Sequence, residues 1–120
     1  MFKSLRISAV LLLACVLAAC GGSEQADKAA LELAARSLVP ANSELAEVYN
    51  RSCRSCHTVA ATGSPLTGDT AAWAPRMEKG MSTLVDNVIN GFGGMPSFGL
   101  CRDCEAAQFE ALILFMAEGG

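Results

Sequence analysis

Five consecutive residues, Cys53-Arg54-Ser55-Cys56-His57, constrain the fold of this chain more than any other part of its sequence. Two thiols three positions apart, with a histidine directly after the second, form the pattern that attaches haem c. In that chemistry both thiols become thioethers and the imidazole binds the iron as an axial ligand. His57 is the only histidine in the chain, so a second histidine ligand is impossible.

The N-terminal segment predicts export. Lys3 and Arg6 precede an apolar run over residues 7–19, which is shorter than the about 20 residues needed to span a bilayer but suits a secretory signal. The run ends in small residues before Cys20, as in the lipobox of bacterial lipoproteins. We expect residues 1–19 to be a lipoprotein signal peptide and Cys20 to be the lipidated first residue. The alternative is an ordinary cleaved signal that contains a cysteine.

Removal of the signal makes the chain more acidic. Loss of Lys3 and Arg6 from nine basic residues leaves seven against twelve acidic ones, a net charge of −5. This balance argues against nucleic acid as a partner and favours redox proteins with a basic docking surface. The expected location is the periplasmic side of a bacterial membrane, through the lipid anchor. Gly21 slightly favours the outer membrane, because it stands where inner-membrane lipoproteins commonly have aspartate.

Apolar residues recur at helical spacing after residue 40, and no segment alternates as a strand would, so we expect an all-α fold. Each predicted helix of the domain begins at a capping residue; the expected starts are Asn42–Ser43, Asp69–Thr70, Ser82 and Asp103. The second is expected to be a short segment through Trp73. Residues 20–40 are predicted to be a lipid-anchored, partly helical tether, with residues 29–38 either a short helix or an alanine-rich linker that becomes helical only on packing. The domain itself is expected at residues 41–120.

Three chemistries use a Cys-x-x-Cys pair. Thiol redox requires a βαβ setting, which the all-α pattern does not provide. A structural zinc site could join both cysteine pairs of the domain, but the intervening segment is much longer than the usual about 15–20 residues and leaves His57 without a role. Haem c accounts for the motif, the predicted export and the apolar helices together.

With haem c bound, the sixth iron ligand is expected to be a methionine. Met77, Met81 and Met116 have the spacing of core residues. Met95 differs because it lies in Gly93-Gly94-Met95-Pro96, a loop whose glycines allow close backbone approach. A His57/Met95 pair raises the haem potential and fills both axial positions, which favours electron transfer over catalysis.

The chain resembles the class I c-type cytochromes, and most closely the cytochrome c5 family of bacterial monohaem carriers. The resemblance extends from Cys53 to about Met116. The motifs that carry it are Cys53–His57, Gly68-Asp69, Ala71–Arg76, Asn90–Phe92, Gly94–Pro96 and Cys101–Cys104. It implies a small fold of about four helices around one covalently attached haem c. The chain departs from the family at Ser97, where a second proline is common, and in its added lipobox.

The same resemblance implies a role for each matched residue. Cys53 and Cys56 would carry the haem, and His57 and Met95 would ligate its iron. Pro65 matches a proline whose carbonyl accepts the histidine N–H.

Two further features follow from the resemblance. Trp73 matches a haem-pocket tryptophan, which could equally be plain core packing. Cys101 and Cys104 match the family disulfide; from the residues alone their geometry stays open. Glu105 after Cys104 excludes a second covalent haem.

The predicted function is a periplasm-facing, lipid-anchored monohaem cytochrome that carries single electrons between respiratory-chain redox partners, and not an enzyme. One alternative is a haem-based sensor or peroxidase-like protein from which Met95 dissociates. The other is a zinc-stabilised structural lipoprotein.

Overall fold

The structure, a computed structural model, describes residues 22–120. The predicted signal peptide and the predicted lipidation residue Cys20 lie outside the described residues. The described chain consists of helices, turns and loops, with one isolated antiparallel bridge between Phe92 and Met95. The all-α prediction is confirmed. No helix within residues 22–120 is both long and apolar enough to cross a membrane.

Helix α1 spans Gly22–Ser37 and is longer than the sequence predicted. Residues 22–27, part of the predicted partly helical tether, form its first turns. An ion pair between Lys28 and Glu24, four residues apart, supports this exposed start. The helix ends before Pro40, as expected.

Helix α1 packs against the rest of the described chain. Ala35 is fully buried, and Glu32 Oε2 accepts the backbone N–H of Ala60 at 2.8 Å. Arg36 Nε also donates to the carbonyl oxygen of Thr58 at 3.5 Å. The segment is therefore a docked helix, which agrees both with a short helix and with an alanine-rich linker that becomes helical on packing.

A continuous helical rod carries the haem-attachment motif. Helix α2, Ser43–Val48, begins at Asn42, whose Oδ1 accepts the Leu45 N–H at 2.9 Å. The rod continues through a π-helical turn, Tyr49–Cys53, into the short helix α3, Arg54–His57. π-Helical turns are rare in proteins, but those that do occur often lie at functional sites.

Helix α4, Thr70–Met77, follows the loop after the motif. Asp69 caps it as predicted, accepting the Ala72 N–H at 3.1 Å. The helix extends past the predicted end at Trp73. Pro75 is the sixth residue of this helix, beyond its first turn, and has no N–H to donate to the Ala71 carbonyl, so the helix lacks one hydrogen bond there.

Helices α5, Met81–Asn90, and α6, Ala106–Glu118, complete the domain. Both predicted caps were wrong. Gly80 precedes α5, so Ser82 lies inside its first turn. Glu105 begins α6 and forms a capping box with Gln108, whereas Asp103 pairs with a distant arginine.

The core is built mainly on α6. Its predicted apolar face is buried as expected; the residues are Phe109, Leu112, Ile113 and Met116. Tyr49 meets Phe115 edge-on at 5.0 Å between ring centroids, and its hydroxyl bonds that of Thr67 at 2.9 Å. Burying each such side chain contributes about 1.5–3 kcal/mol. The rod that carries Cys53 and His57 is therefore anchored to the core through Tyr49.

Candidate haem site

The two motif cysteines are free thiols on consecutive turns of the rod. Cys53 is half-buried and Cys56 is exposed. Burial raises the pKa of the Cys53 thiol to about 11, against a smaller opposing effect of the Arg51 charge. A redox-active dithiol needs a lowered thiol pKa, so this environment argues against the thiol-redox alternative.

His57 is buried and held in one orientation. Its Nδ1 lies 2.7 Å from the carbonyl oxygen of Pro65, and because a carbonyl only accepts, Nδ1 must carry the proton. Nε2 then keeps a free lone pair. Burial is the main cause that lowers the pKa of His57, and the Arg76 charge adds to it, whereas the Pro65 hydrogen bond opposes it. The ring is therefore neutral at neutral pH, which is the form that binds a metal.

Trp73 contacts His57 and also fixes the loop that orients it. The two rings stack with centroids 5.9 Å apart and an interplanar angle of 27°. The indole N–H donates to the Leu66 carbonyl at 2.9 Å, and the Thr67 N–H donates to the His57 carbonyl at 2.8 Å. Trp73 thus both packs against His57 and donates a hydrogen bond to the loop, and its place in a haem pocket stays a prediction.

Met95 is held in a tight turn. Its N–H donates to the Phe92 carbonyl at 2.9 Å, and the Phe92 N–H donates back to the Met95 carbonyl at 3.1 Å. Met95 lines a narrow cavity together with Cys53, and every residue around the cavity is apolar or sulfur-containing. The other lining residues are Val48, Val88, Phe98, Gly99, Cys101, Phe109, Leu112, Ile113 and Met116. Met77 and Met81 pack against the core, as predicted.

Two glycines border Met95: Gly91, which belongs to the Asn90–Phe92 motif of the family resemblance, and Gly99, which the sequence did not single out. Gly91 has φ +83°, and a Cβ placed there would lie 3.0 Å from the Met95 carbonyl oxygen. Gly99 has φ +52°, and its Cβ would lie 3.2 Å from Met95 Cε. The positive φ values favour glycine, and the distances show that a side chain at either position would displace Met95.

The chain between Met95 and the second cysteine pair is strained. Phe98 and Leu100, on either side of Gly99, have φ values of 60° and 69°. For bulky residues this left-handed conformation is a genuine outlier and costs of order 1–3 kcal/mol each. The surrounding contacts must supply that energy.

Cys101 and Cys104 are joined in a disulfide with their Cα atoms 5.4 Å apart, the pairing that the family resemblance implies. Asp103, between them, forms an ion pair with Arg51 of the π-helical turn. Cys101, Asp103 and Cys104 form a compact group within the described residues, but the disulfide uses both sulfurs. The four-thiolate zinc site of the alternative reading is therefore not available in this structure.

The residues present fit a covalently attached haem. Free thiols at Cys53 and Cys56, a neutral imidazole at His57 with one nitrogen unprotonated, and a thioether at Met95 make up the donor set. The small cavity between Cys53 and Met95 has an apolar and sulfur-containing lining, as one wall of a haem pocket would have, but Cys56 and His57 do not line it. Fold and site together define a class I c-type cytochrome domain.

Comparison with known proteins identifies the family. Residues 40–116 match the family model described as cytochrome c oxidase, cbb3-type, subunit III, and the chain belongs to this family. It is 47% identical to cytochrome c-555 of Chlorobaculum tepidum over 72 residues, covering 57% of this chain and 67% of that protein. It is 32% identical to cytochrome c5 of Ectopseudomonas mendocina over 73 residues, covering 59% and 84%.

The fold is also that of a solved structure. A chain of the crystal structure of the electron transfer complex of nitrite reductase with cytochrome c aligns with a TM-score of 0.58 and 28% identity. The alignment covers 65% of this chain and 95% of that chain. The protein is thus an electron-transfer cytochrome with one covalently bound haem c, and not an enzyme, as predicted.

Proposed function

We propose that the protein carries single electrons at the periplasmic face of a bacterial membrane, with His57 and Met95 as axial ligands of its haem. Cys53 and Cys56 would hold the haem through thioethers, and Cys20 would carry the lipid. The observation that carries the proposal is the hydrogen bond from His57 Nδ1 to Pro65, because it leaves Nε2 as the coordinating nitrogen.

The His57 side of the site supports a rigid axial ligand. Pro65 accepts the ring proton, and Trp73 covers one face of the ring. A carbonyl acceptor orients the imidazole and raises its basicity as a ligand. Because His57 is buried, few waters can reorganise around it when an electron arrives or leaves.

The Met95 side supports a carrier instead of a catalyst. When bound, haem supplies an iron that takes up or releases one electron. A thioether ligand from Met95 favours the reduced state and raises the potential. If His57 and Met95 both held the iron, they would leave it no free position for a substrate.

The acidic surface supports transient docking to a basic partner. Without the predicted signal the chain carries twelve acidic and seven basic residues, and complementary charge speeds association. The structural neighbour comes from a complex of nitrite reductase with cytochrome c, so a redox enzyme with a basic patch is a suitable partner class. Its electron-transfer rate should fall as ionic strength rises.

The lipid anchor is supported by the lipobox at Cys20 and by the helix that follows it. The ten residues of α1 before Glu32, where its hydrogen bonds to the domain begin, extend about 15 Å at 1.5 Å per residue, which would hold the domain away from a headgroup surface. Replacement of Cys20 by alanine should release the protein into the soluble periplasm. A variant that stays in the membrane fraction would contradict the anchor without affecting the haem proposal.

One preparation tests the haem site. Purified full-length protein should show a c-type absorption spectrum on reduction and a haem stain after denaturing electrophoresis. The Cys53→Ala/Cys56→Ala variant should lose the stain. A colourless protein with stoichiometric zinc would establish the structural-lipoprotein alternative. Ready binding of carbon monoxide by the ferrous protein at neutral pH would establish the sensor or peroxidase-like alternative.

A further inference from the structure

Arg51 connects the haem-attachment rod to the disulfide loop, 50 residues further along the chain. It lies in the π-helical turn two positions before Cys53. Its Nη1 and Nη2 donate to the two carboxylate oxygens of Asp103 at 3.1 and 2.9 Å, and Nη2 also lies 3.3 Å from Cys101 Sγ. We call these three contacts the Arg51 bridge. A bidentate arginine–carboxylate pair fixes direction as well as distance.

The far end of the Arg51 bridge is continuous with the Met95 loop. The Cys101 N–H donates to the Phe98 carbonyl at 2.8 Å, and the Gly99 N–H donates to the Pro96 carbonyl at 3.1 Å. Cys101 is almost fully buried, and the Gly99 backbone leaves no room for a side chain beside Met95 Cε. A displacement of Cys101 would therefore move the backbone that packs on the Met95 side chain.

The position of the bridge distinguishes it from an ordinary surface ion pair. Both side chains are substantially exposed, and exposed pairs contribute little to global stability. The mutual hydrogen bonds lower the pKa of Asp103 and raise that of Arg51, so both groups stay charged at neutral pH. What the pair supplies is a defined separation between the rod that carries Cys53 and the strained segment that follows Met95.

We infer that Arg51 is a positioning residue for the Met95 ligand, acting through Asp103 and the Cys101–Cys104 loop. This inference rests on the proposed His57/Met95 ligation. The bridge holds the disulfide loop against the rod, and the loop in turn holds Gly99 and Met95 toward the cavity that Cys53 lines. Loss of either partner of the bridge should make Met95 easier to displace from the iron.

The test uses the full-length oxidised holoprotein and the variants Arg51→Gln, Asp103→Asn and the double variant. The thioether-to-iron charge-transfer absorption is followed as the pH is raised until the band is lost. We expect each single variant to favour displacement of Met95 by about fivefold, the upper end for an exposed pair. That change lowers the midpoint by about 0.7 pH unit for a one-proton event. The double variant should shift no further than the single ones.

Arg102→Gln is the matched control, because Arg102 lies in the same loop, is exposed and makes no side-chain hydrogen bond or ion pair within the described residues. It reports the effect of losing one positive charge. Charge alone would shift Arg51→Gln and Asp103→Asn in opposite directions, whereas loss of positioning shifts both midpoints downward. Opposite shifts, or shifts no larger than that of the control, would overturn the inference.

The same titration separates this inference from the proposed ligation. A wild-type protein that contains haem but lacks the band would overturn Met95 ligation, and the inference with it. A wild-type band with unshifted variants overturns the inference alone. Far-ultraviolet circular dichroism verifies that each variant is folded, and the haem stain verifies that it contains haem. A variant that fails either check is replaced by Arg51→Lys. This substitution retains the positive charge but not the bidentate geometry. An unshifted Arg51→Lys would overturn the inference as well.

Discussion

The two sides of the site are held in place by different kinds of interaction. Around His57, ring and backbone groups bond to fixed partners: Pro65 accepts the ring proton and Leu66 accepts the indole N–H. Around Met95, hydrogen bonds with Phe92 hold only the backbone turn, and close-packed glycines and strained residues determine where the side chain lies, with an exposed ion pair beyond them. Hydrogen bonds to backbone carbonyls specify one geometry. Packing and strain also fix the Met95 side chain, but less free energy is needed to move it.

The largest expected effect comes from replacing the Met95 ligand. Met95→His should retain the haem, because the attachment cysteines are unchanged, but lower the potential by a substantial part of the about 0.8 V range that axial ligands span. Equilibrium redox titration measures it. Met81→Leu, which alters a core methionine, should leave the potential unchanged. An unaltered potential in Met95→His would count against ligation by Met95.

The His57 side can be weakened through Trp73. Trp73→Ala should destabilise the holoprotein by about 3–5 kcal/mol, as for other buried large-to-small changes, measured by guanidinium unfolding. Trp73→Phe keeps an aromatic ring beside His57 but removes the bond to Leu66, so about 1–3 kcal/mol should be lost. Equal losses in the two variants would show that the indole N–H, and not the packing, is what matters.

The Met95 side can be perturbed through Gly99. Gly99→Ala places a left-handed alanine against Met95 Cε and should cost about 1–2 kcal/mol in backbone strain, with a weakened thioether-to-iron band. Gly63→Ala is the matched control on the His57 side, since Gly63 has φ +73° but no neighbouring atom within 4 Å of the added Cβ. The control should show the same stability loss with an unchanged band. A weakened band in both variants would mean that backbone strain, and not contact of the added Cβ with Met95, weakens the bond between the thioether and the iron.

The smallest expected effect is the acid dependence of the Arg51–Asp103 pair. Arg51 lowers the pKa of Asp103 below its ordinary 3.8, so the pair's contribution is complete above about pH 4 and is lost as the pH falls through the lower folded value. Asp103→Asn should therefore be slightly less stable than the wild type at neutral pH and equally stable in strong acid. Urea unfolding across this range measures the difference. Asp86→Asn removes an exposed carboxylate that forms no ion pair within residues 22–120, so the stability difference between this variant and the wild type should not close in strong acid.

Local patterns predicted the parts of the fold that depend on neighbours in sequence. The attachment motif, the caps at Asn42 and Asp69, and the buried face of α6 each follow from residues within a few positions of one another. The predicted caps at Ser82 and Asp103 were wrong because other residues took the position: Gly80 precedes α5 and Glu105 forms its own capping box.

The contacts that the sequence did not reveal join distant segments. Asp103 resembles a cap in sequence, yet its partner Arg51 lies 52 residues away, and no periodicity links the two. The proximity of Gly99 to Met95 depends on three consecutive left-handed residues, which bulky Phe98 and Leu100 give no reason to expect. The length of α1 also escaped prediction, because its stability comes partly from docking.

Docking of α1 covers one part of the domain surface and leaves the rest accessible to other proteins. The matched family region begins at residue 40, so α1 lies outside it, and its contacts cover Thr58 and Ala60 just after the attachment motif. A redox partner cannot bind the surface around Thr58 and Ala60 while α1 is docked there. A partner must therefore bind from another direction. Although α1 contributes no residue to the proposed haem site, it restricts the directions from which an electron donor or acceptor can approach.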